Sequence, residues 1–148
     1  MTDIHPPNIR SKNMSAIKSA DTKPEKIVKS FLCNFGLRYR KFSNEFKFKP
    51  DFIFPGIKHV IFIHGCFWHK HDCKFATSPN SNKQFWKKKF IDNKQRDQNH
   101  YHILKYKQWS YDIIWECELN LKDKTDKILS QVCNNIKTKY DQSSLYEK

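Results

Sequence analysis

The chain has 148 residues, with 28 Lys and Arg against 15 Asp and Glu, for a formal net charge of +13. That length supports one core with little room for a second, and no stretch of about 18 apolar residues is present to cross a bilayer. The positive excess calls for a polyanionic partner, with nucleic acid first among them, although AT-rich codon usage alone also yields many Lys, Asn, Ile, Phe and Tyr. Aromatic residues make up 15% of the chain and include four Trp, the side chains that base-reading proteins stack or wedge. Five cysteines, an odd number with no apolar leader, argue against a disulfide framework and for a reducing, cytoplasmic compartment without membrane contact.

Residues 1–20 are polar and basic, with Arg10, Lys12 and Lys18 and little to pack besides Ile9, Met14 and Ile17. They read as an arm that orders on a partner; the plainer reading is a frayed terminus. Thr22-Lys23-Pro24-Glu25 then combines an N-cap, a first-turn proline and an acid three residues after the cap. The apolar stripe through Ile27, Val28, Phe31, Leu32 and Phe35 predicts a helix closed by Gly36. Cys33 is expected to be a small buried hydrophobe in that helix, and Cys133 likewise near the C-terminus.

Leu37–Phe42 reads as a strand, Pro50-Asp51-Phe52-Ile53-Phe54 as a second, and His59–His64 as a central third after the Pro55-Gly56 turn. A long helical pattern runs from Phe85 to Lys107, Tyr111–Glu116 is a further strand, and residues 123–140 form an amphipathic helix. Residues 21–140 are expected to be a single domain and residues 141–148 a disordered tail. Helix, three strands, helix, strand, helix is an α/β order with a mixed sheet.

Chemistry concentrates after the central strand, in Cys66-Phe67-Trp68-His69-Lys70-His71-Asp72-Cys73. Cys66, His71 and Cys73, joined by the distant Cys117, match the closed tetrahedral sulfur/nitrogen shell of structural Zn²⁺; the alternative is coincidental burial. His64 and His69 are spare of that shell. Asp51, at a strand start, is a candidate hard-cation ligand, or else merely caps a turn. Metal-dependent nucleases of this layout usually finish the second strand with an acid, one residue, then Lys; Phe62-Ile63-His64 has neither. Histidines would then have to supply the base and the phosphate contact. Asp97 either orients one of them or sits on a solvated helix face, and Glu25 has a sufficient role as the capping-box acid. Phe67, Trp68 and Trp86 are either core or a wedge between bases.

These residues resemble the very short patch repair endonucleases of bacteria. The resemblance covers about residues 8–120 and rests on Arg10-Ser11-Lys12-Asn13-Met14, Pro50-Asp51-Phe52, the run from Val60 through His69, His71-Asp72-Cys73, Phe85-Trp86, Arg96-Asp97 and Trp115-Glu116-Cys117. His64-Gly65-Cys66-Phe67-Trp68-His69 is its most specific part. It implies a restriction-enzyme-like αβββαβ core with an added zinc site, and an Mg²⁺-dependent nick of one DNA strand on the 5′ side of the T in a T:G mismatch, the product of 5-methylcytosine deamination. By the same resemblance, Asp51 and the backbone carbonyl of Ile63 would hold Mg²⁺, His69 would be the base oriented by Asp97, and His64 and Glu25 would support the phosphate and the metal-bound waters. Phe67, Trp68 and Trp86 would enter beside the mismatch from the major groove, and the arm around Met14, with Arg10 and Lys12, would lie across the minor groove. A monomer with a functional link to a cytosine-5 methyltransferase and mismatch-repair proteins is expected. Ile63 stands where the family is expected to carry Thr; a main-chain ligand tolerates that change. Two other readings remain: a zinc-stapled DNA-binding module without catalysis, and a restriction-type nuclease that cuts matched duplex.

Overall fold

Thr22 opens the first helix as its side chain predicts. Its hydroxyl accepts a hydrogen bond from the Glu25 N–H at 3.4 Å, Pro24 sits in the first turn, where a missing donor costs nothing, and α1 spans Lys23–Asn34. The computed structural model describes residues 22–67, 69, 71 and 81–146; the arm with Arg10, Lys12 and Met14, and the loop residues Trp68 and Cys73, lie outside the described residues. Gly36 closes α1 at φ +72°, and the N–H groups of Gly36 and Leu37 return to the carbonyls of Cys33 and Leu32 at 3.0 and 2.9 Å. Val28 and Leu32 are buried, but Cys33 is exposed. This corrects the burial expected of it: one residue past Leu32 is a rotation of about 100° away from the buried stripe.

The first expected strand, Leu37–Phe42, is also corrected, to a single bridge between Arg40 and Ile53. Both N–H···O bonds of that rung form, at 2.8 and 2.9 Å. The next rung on one side would need the N–H that Pro55 lacks. On the other side, Asp51 turns its N–H to the Ile61 carbonyl at 3.0 Å. The sheet of described residues therefore has three strands, β1 (Phe52–Phe54), β2 (His59–His64) and β3 (Ser110–Trp115), in the order β1-β2-β3. β1 runs antiparallel to β2 through the Pro55–Ile57 turn, and β2 runs parallel to β3. The parallel pair requires a crossover, supplied by α2 (Lys83–Tyr106).

Strand alternation divides the core in two. Ile53, Val60 and Phe62 pack with Leu104 of α2 and with Trp109. Phe52, Phe54, Ile61 and Ile114 pack on the opposite face with α1 and with Leu129, Cys133 and Ile136 of α3 (Lys122–Tyr146). Cys133 is buried as expected. α3 continues to Tyr146, into the segment read as a tail. Among the described residues no helix is long and apolar enough to cross a membrane. Only Asn93, Asp97 and Leu104 of the 24 residues of α2 are buried, so this helix is held from Asn93 onward and displays its first turns.

Gly36 tests the first helix end. No atom lies within 4 Å of a Cβ built there, so Gly36→Ala pays only for the left-handed backbone. The expected loss is about 1–2 kcal/mol of unfolding free energy, measured by urea denaturation, with nuclease activity retained.

Candidate active site and metal centre

The C-terminal end of β2 gathers the candidate residues. Because its N–H is turned toward β2, Asp51 brings its carboxylate over the same strand, where Oδ2 accepts the Ile63 N–H at 2.7 Å. Glu25, in the first turn of α1, is buried beside it, and its Oε2 accepts from Lys41 Nζ at 3.2 Å. Burial is the main force raising the Asp51 pKa from 3.8 to about 6, and the charge and hydrogen bond of Glu25 add to it against the opposing Ile63 N–H and Lys41. A buried and a half-buried carboxyl group side by side form a hard oxygen-donor set that suits a divalent cation. The Glu25 side chain thus faces the acid pair as well as belonging to the helix start.

His64 ends β2 on the face turned to α2. It is 4% exposed, and its ring lies parallel to that of His69, centroids 3.8 Å apart. Burial, helped by the neighbouring His69, lowers the His64 pKa from 6.5 to about 4, so it is neutral at physiological pH. Its Nδ1 is buried without a hydrogen-bond partner among the described residues. His69 is pinned by its main-chain N–H to the Gly65 carbonyl at 3.1 Å and by Nδ1 to Asp97 Oδ2 at 2.5 Å. Burial alone would raise the Asp97 pKa, but the hydrogen bond and charge of His69 outweigh it and the carboxyl lies below 3.8. An ionised Asp97 accepts a hydrogen bond from the Nδ1–H of His69 and so leaves the ring's lone pair on Nε2. His64, His69 and Asp97 each offer a ligand atom within 4.8 Å of the others, and the Asp97–His69 bond and the parallel stack fix the orientation of the His69 ring.

Cys66, His71 and Cys117 form a second cluster, with ligand atoms also within 4.8 Å of one another. Cys66 is buried, the His71 N–H donates to its carbonyl at 3.0 Å, and His71 Nδ1 lies 3.6 Å from Cys117 Sγ. Bonds of about 2.0–2.3 Å to a tetrahedral ion space its ligand atoms by roughly 3.3–3.8 Å, a spacing that the His71–Cys117 pair meets. Cys117 comes from the turn Glu116–Leu119 that follows β3, the tertiary delivery its distance in sequence demands. His71 stacks on Trp115 at 4.0 Å and His64 meets the same indole edge-on at 5.2 Å.

Phe67 meets Trp86 and Phe90, each with ring centroids 5.4 Å apart, at the displayed end of α2. Phe85, 57% exposed, stands edge-on to Trp86 at 5.3 Å. Sequence reasoning did not find Lys41, whose signal is only a basic residue in a segment read as a strand. It also missed the network of His59 with Asp112, Ser110 and Lys139, since those residues are scattered over three elements.

Paired carboxyls and a histidine held by an aspartate, gathered at one end of β2, suit phosphodiester hydrolysis. Over residues 2–75 the chain matches the family described as DNA mismatch endonuclease Vsr. It is 39% identical over 132 residues to the DNA mismatch endonuclease Vsr of Escherichia coli (strain K12), covering 88% of this chain and 85% of that one. It is 39% identical over 137 residues to the type II nicking enzyme V.NmeAIP of Neisseria meningitidis serogroup A, covering 93% and 98%. With the type II nicking enzyme V.XorIIP of Xanthomonas oryzae pv. oryzae it shares 38% identity over 120 residues, 81% and 88% of the two chains. The chain belongs to the Vsr DNA mismatch endonuclease family and is an endodeoxyribonuclease.

The two perturbed groups give opposite pH slopes. Asp51 holds its proton more tightly in the fold, so its contribution to stability is complete below pH 3.8 and is lost as the pH rises through about 6. His64 contributes above pH 6.5 and loses that contribution as the pH falls through about 4. In metal-free buffer at pH 7, Asp51→Asn is therefore expected to raise stability by about 1–3 kcal/mol. Thermal melts from pH 4 to 7 check this: the gain should grow with pH, and a constant offset would refute the shift.

Proposed function

We propose that the protein nicks one strand of duplex DNA on the 5′ side of the T in a T:G mismatch, using Mg²⁺. The Asp51–Glu25 acid pair at Ile63 and the His69–Asp97 pair stacked on His64, both at the C-terminal end of β2, carry this reading. Asp51 and the backbone carbonyl of Ile63 would hold the ion, with Glu25 accepting hydrogen bonds from water around it; when bound, the ion stabilises charge on the cleaved phosphate. Nε2 of His69 takes a proton from the attacking water, and Asp97 stabilises the imidazolium that results. His64, kept neutral by burial, gives an N–H to a phosphate oxygen without adding a buried charge.

Cys66, His71, Cys73 and Cys117 would complete a structural zinc shell that fixes the loop carrying His69. Phe67, Trp68 and Trp86 form the wedge, with Phe90 behind it. A wobble pair stacks less well than a matched pair, so insertion there costs less. The arm with Arg10, Lys12 and Met14 lies across the minor groove, and Lys and Arg side chains hold flanking phosphates. The protein acts as a monomer in the bacterial cytoplasm, as one nuclease domain over residues 21–140 of the restriction-endonuclease type, alongside a cytosine-5 methyltransferase and mismatch-repair proteins. The names of the nicking relatives favour a single-strand cut over a double-strand break.

End-labelled duplexes with T:G or matched pairs test this directly. With Mg²⁺, one nick beside the mismatched T is expected; Asp51→Ala should abolish it while binding survives, and His69→Gln should slow it by about 10²–10⁴-fold. Equal cutting of matched duplex, or a fully active Asp51→Ala, would refute the assignment. For zinc, elemental analysis should find one ion per chain, and Cys117→Ala should lose that ion and melt at a lower temperature. Unchanged zinc content and melting would refute the structural role.

A further inference from the structure

β2 ends without the lysine that nuclease sites of this layout place there, but the fold brings one from another segment. Lys41 Nζ lies 3.2 Å from Glu25 Oε2, 4.2 Å from the centroid of the Phe52 ring and 5.8 Å from that of Tyr39. Its position is not accidental to the chain path. Arg40, the preceding residue, is fixed against β1 by both hydrogen bonds of its bridge to Ile53, so Lys41 is presented at the edge where Asp51 leaves the strand. A buried carboxylate needs a compensating charge, and the Glu25 side chain is only 9% exposed. The Lys41 side chain is 46% exposed, so its ammonium reaches Glu25 from the solvent side, over the face of the Phe52 ring.

We propose that Lys41 is the resident counter-ion of the Glu25–Asp51 pair, occupying the electrostatic place of the divalent cation until that ion binds. The inference rests on the metal-dependent reading above and adds a residue to it. A lysine is a point charge on a flexible stem; it can balance the acids without coordinating geometry and can move aside for an ion of higher charge. Two consequences follow from the same charge. The metal-free protein is more stable with Lys41 than without it, and Mg²⁺, which must work against a neighbouring cation, binds more weakly than it would to the bare acid pair.

The test compares the protein with Lys41→Met, which keeps an unbranched apolar chain without the charge, and Lys41→Arg, which keeps the charge; Asp51→Ala serves as control. Melting temperatures are recorded in chelator, and Mg²⁺ is titrated calorimetrically without DNA. Lys41→Met is expected to melt below both wild type and Lys41→Arg in chelator, and to bind Mg²⁺ about five- to tenfold more tightly than wild type. Asp51→Ala should show no heat of Mg²⁺ binding. The proposal is overturned if Lys41→Met equals wild type in both measurements, or if Lys41→Arg melts as low as Lys41→Met, which would make the effect one of packing. If wild type itself takes up no Mg²⁺, the metal reading falls, and the chelator melts of the Met and Arg variants alone decide the counter-ion role.

Discussion

The 2.7 Å hydrogen bond from the Ile63 N–H to Asp51 Oδ2 joins the Asp51 carboxylate to the central strand, and most of the candidate site depends on it. It exists because Asp51 leaves the regular ladder: its own N–H goes to Ile61 instead of to the Arg40–Lys41 segment. The break that shortens the sheet therefore also aims the carboxylate. One geometric irregularity turns a strand-start residue into a group poised over the end of β2, next to His64. It also leaves the Arg40 bridge isolated, which puts Lys41 at the rim of the acid pair.

Trp115 has a comparable role between the two clusters. It closes β3, meets His64 edge-on at 5.2 Å and His69 at 6.2 Å, and stacks against His71 at 4.0 Å. The cysteine/histidine cluster and the histidine/aspartate pair are thus packed against one indole, two residues before Cys117. A loop with few apolar residues cannot hold its own shape by burial. Ligand bonds on one side of the indole and a hydrogen bond to α2 on the other would fix His69 where neither constraint would suffice alone.

Much of this was legible in the sequence. The start of α1, the limits of β2 and the clustering of Cys66 and His71 with Cys117 follow from local signals: a Thr–Pro–Glu start, a β-branched run, and ligand types at close spacing. What escaped is tertiary in origin. The Leu37–Phe42 segment has strand composition, yet its pairing failed because of Pro55 and the turned N–H of Asp51, which flank the partner strand. Cys33 has a helical neighbourhood, but its face is set by which side α1 lays on the sheet. Asp97 and Glu25 each had an adequate local explanation. Their partners, His69 and Asp51, stand 28 and 26 positions away in the chain, and no pattern of spacing reports such a meeting.

The two histidines at opposite ends of β2 separate structure from function on physical grounds. Both are nearly fully buried, His59 at 2% and His64 at 4% exposure. His59 is satisfied on both nitrogens: Nε2 meets Asp112 Oδ2 at 2.8 Å, and Nδ1 meets Ser110 Oγ at 2.6 Å and Lys139 Nζ at 3.1 Å. Lys139 also donates to Ser110 at 2.7 Å, so the network pins α3 to the start of the sheet and leaves no capacity for a ligand. His64 carries the same desolvation without that return, its Nδ1 having no partner among the described residues. A buried polar nitrogen without a partner costs about 1–3 kcal/mol. That cost persists where a ligand can supply the missing bond, and on the proposed reading a phosphate oxygen at the end of β2 would supply it.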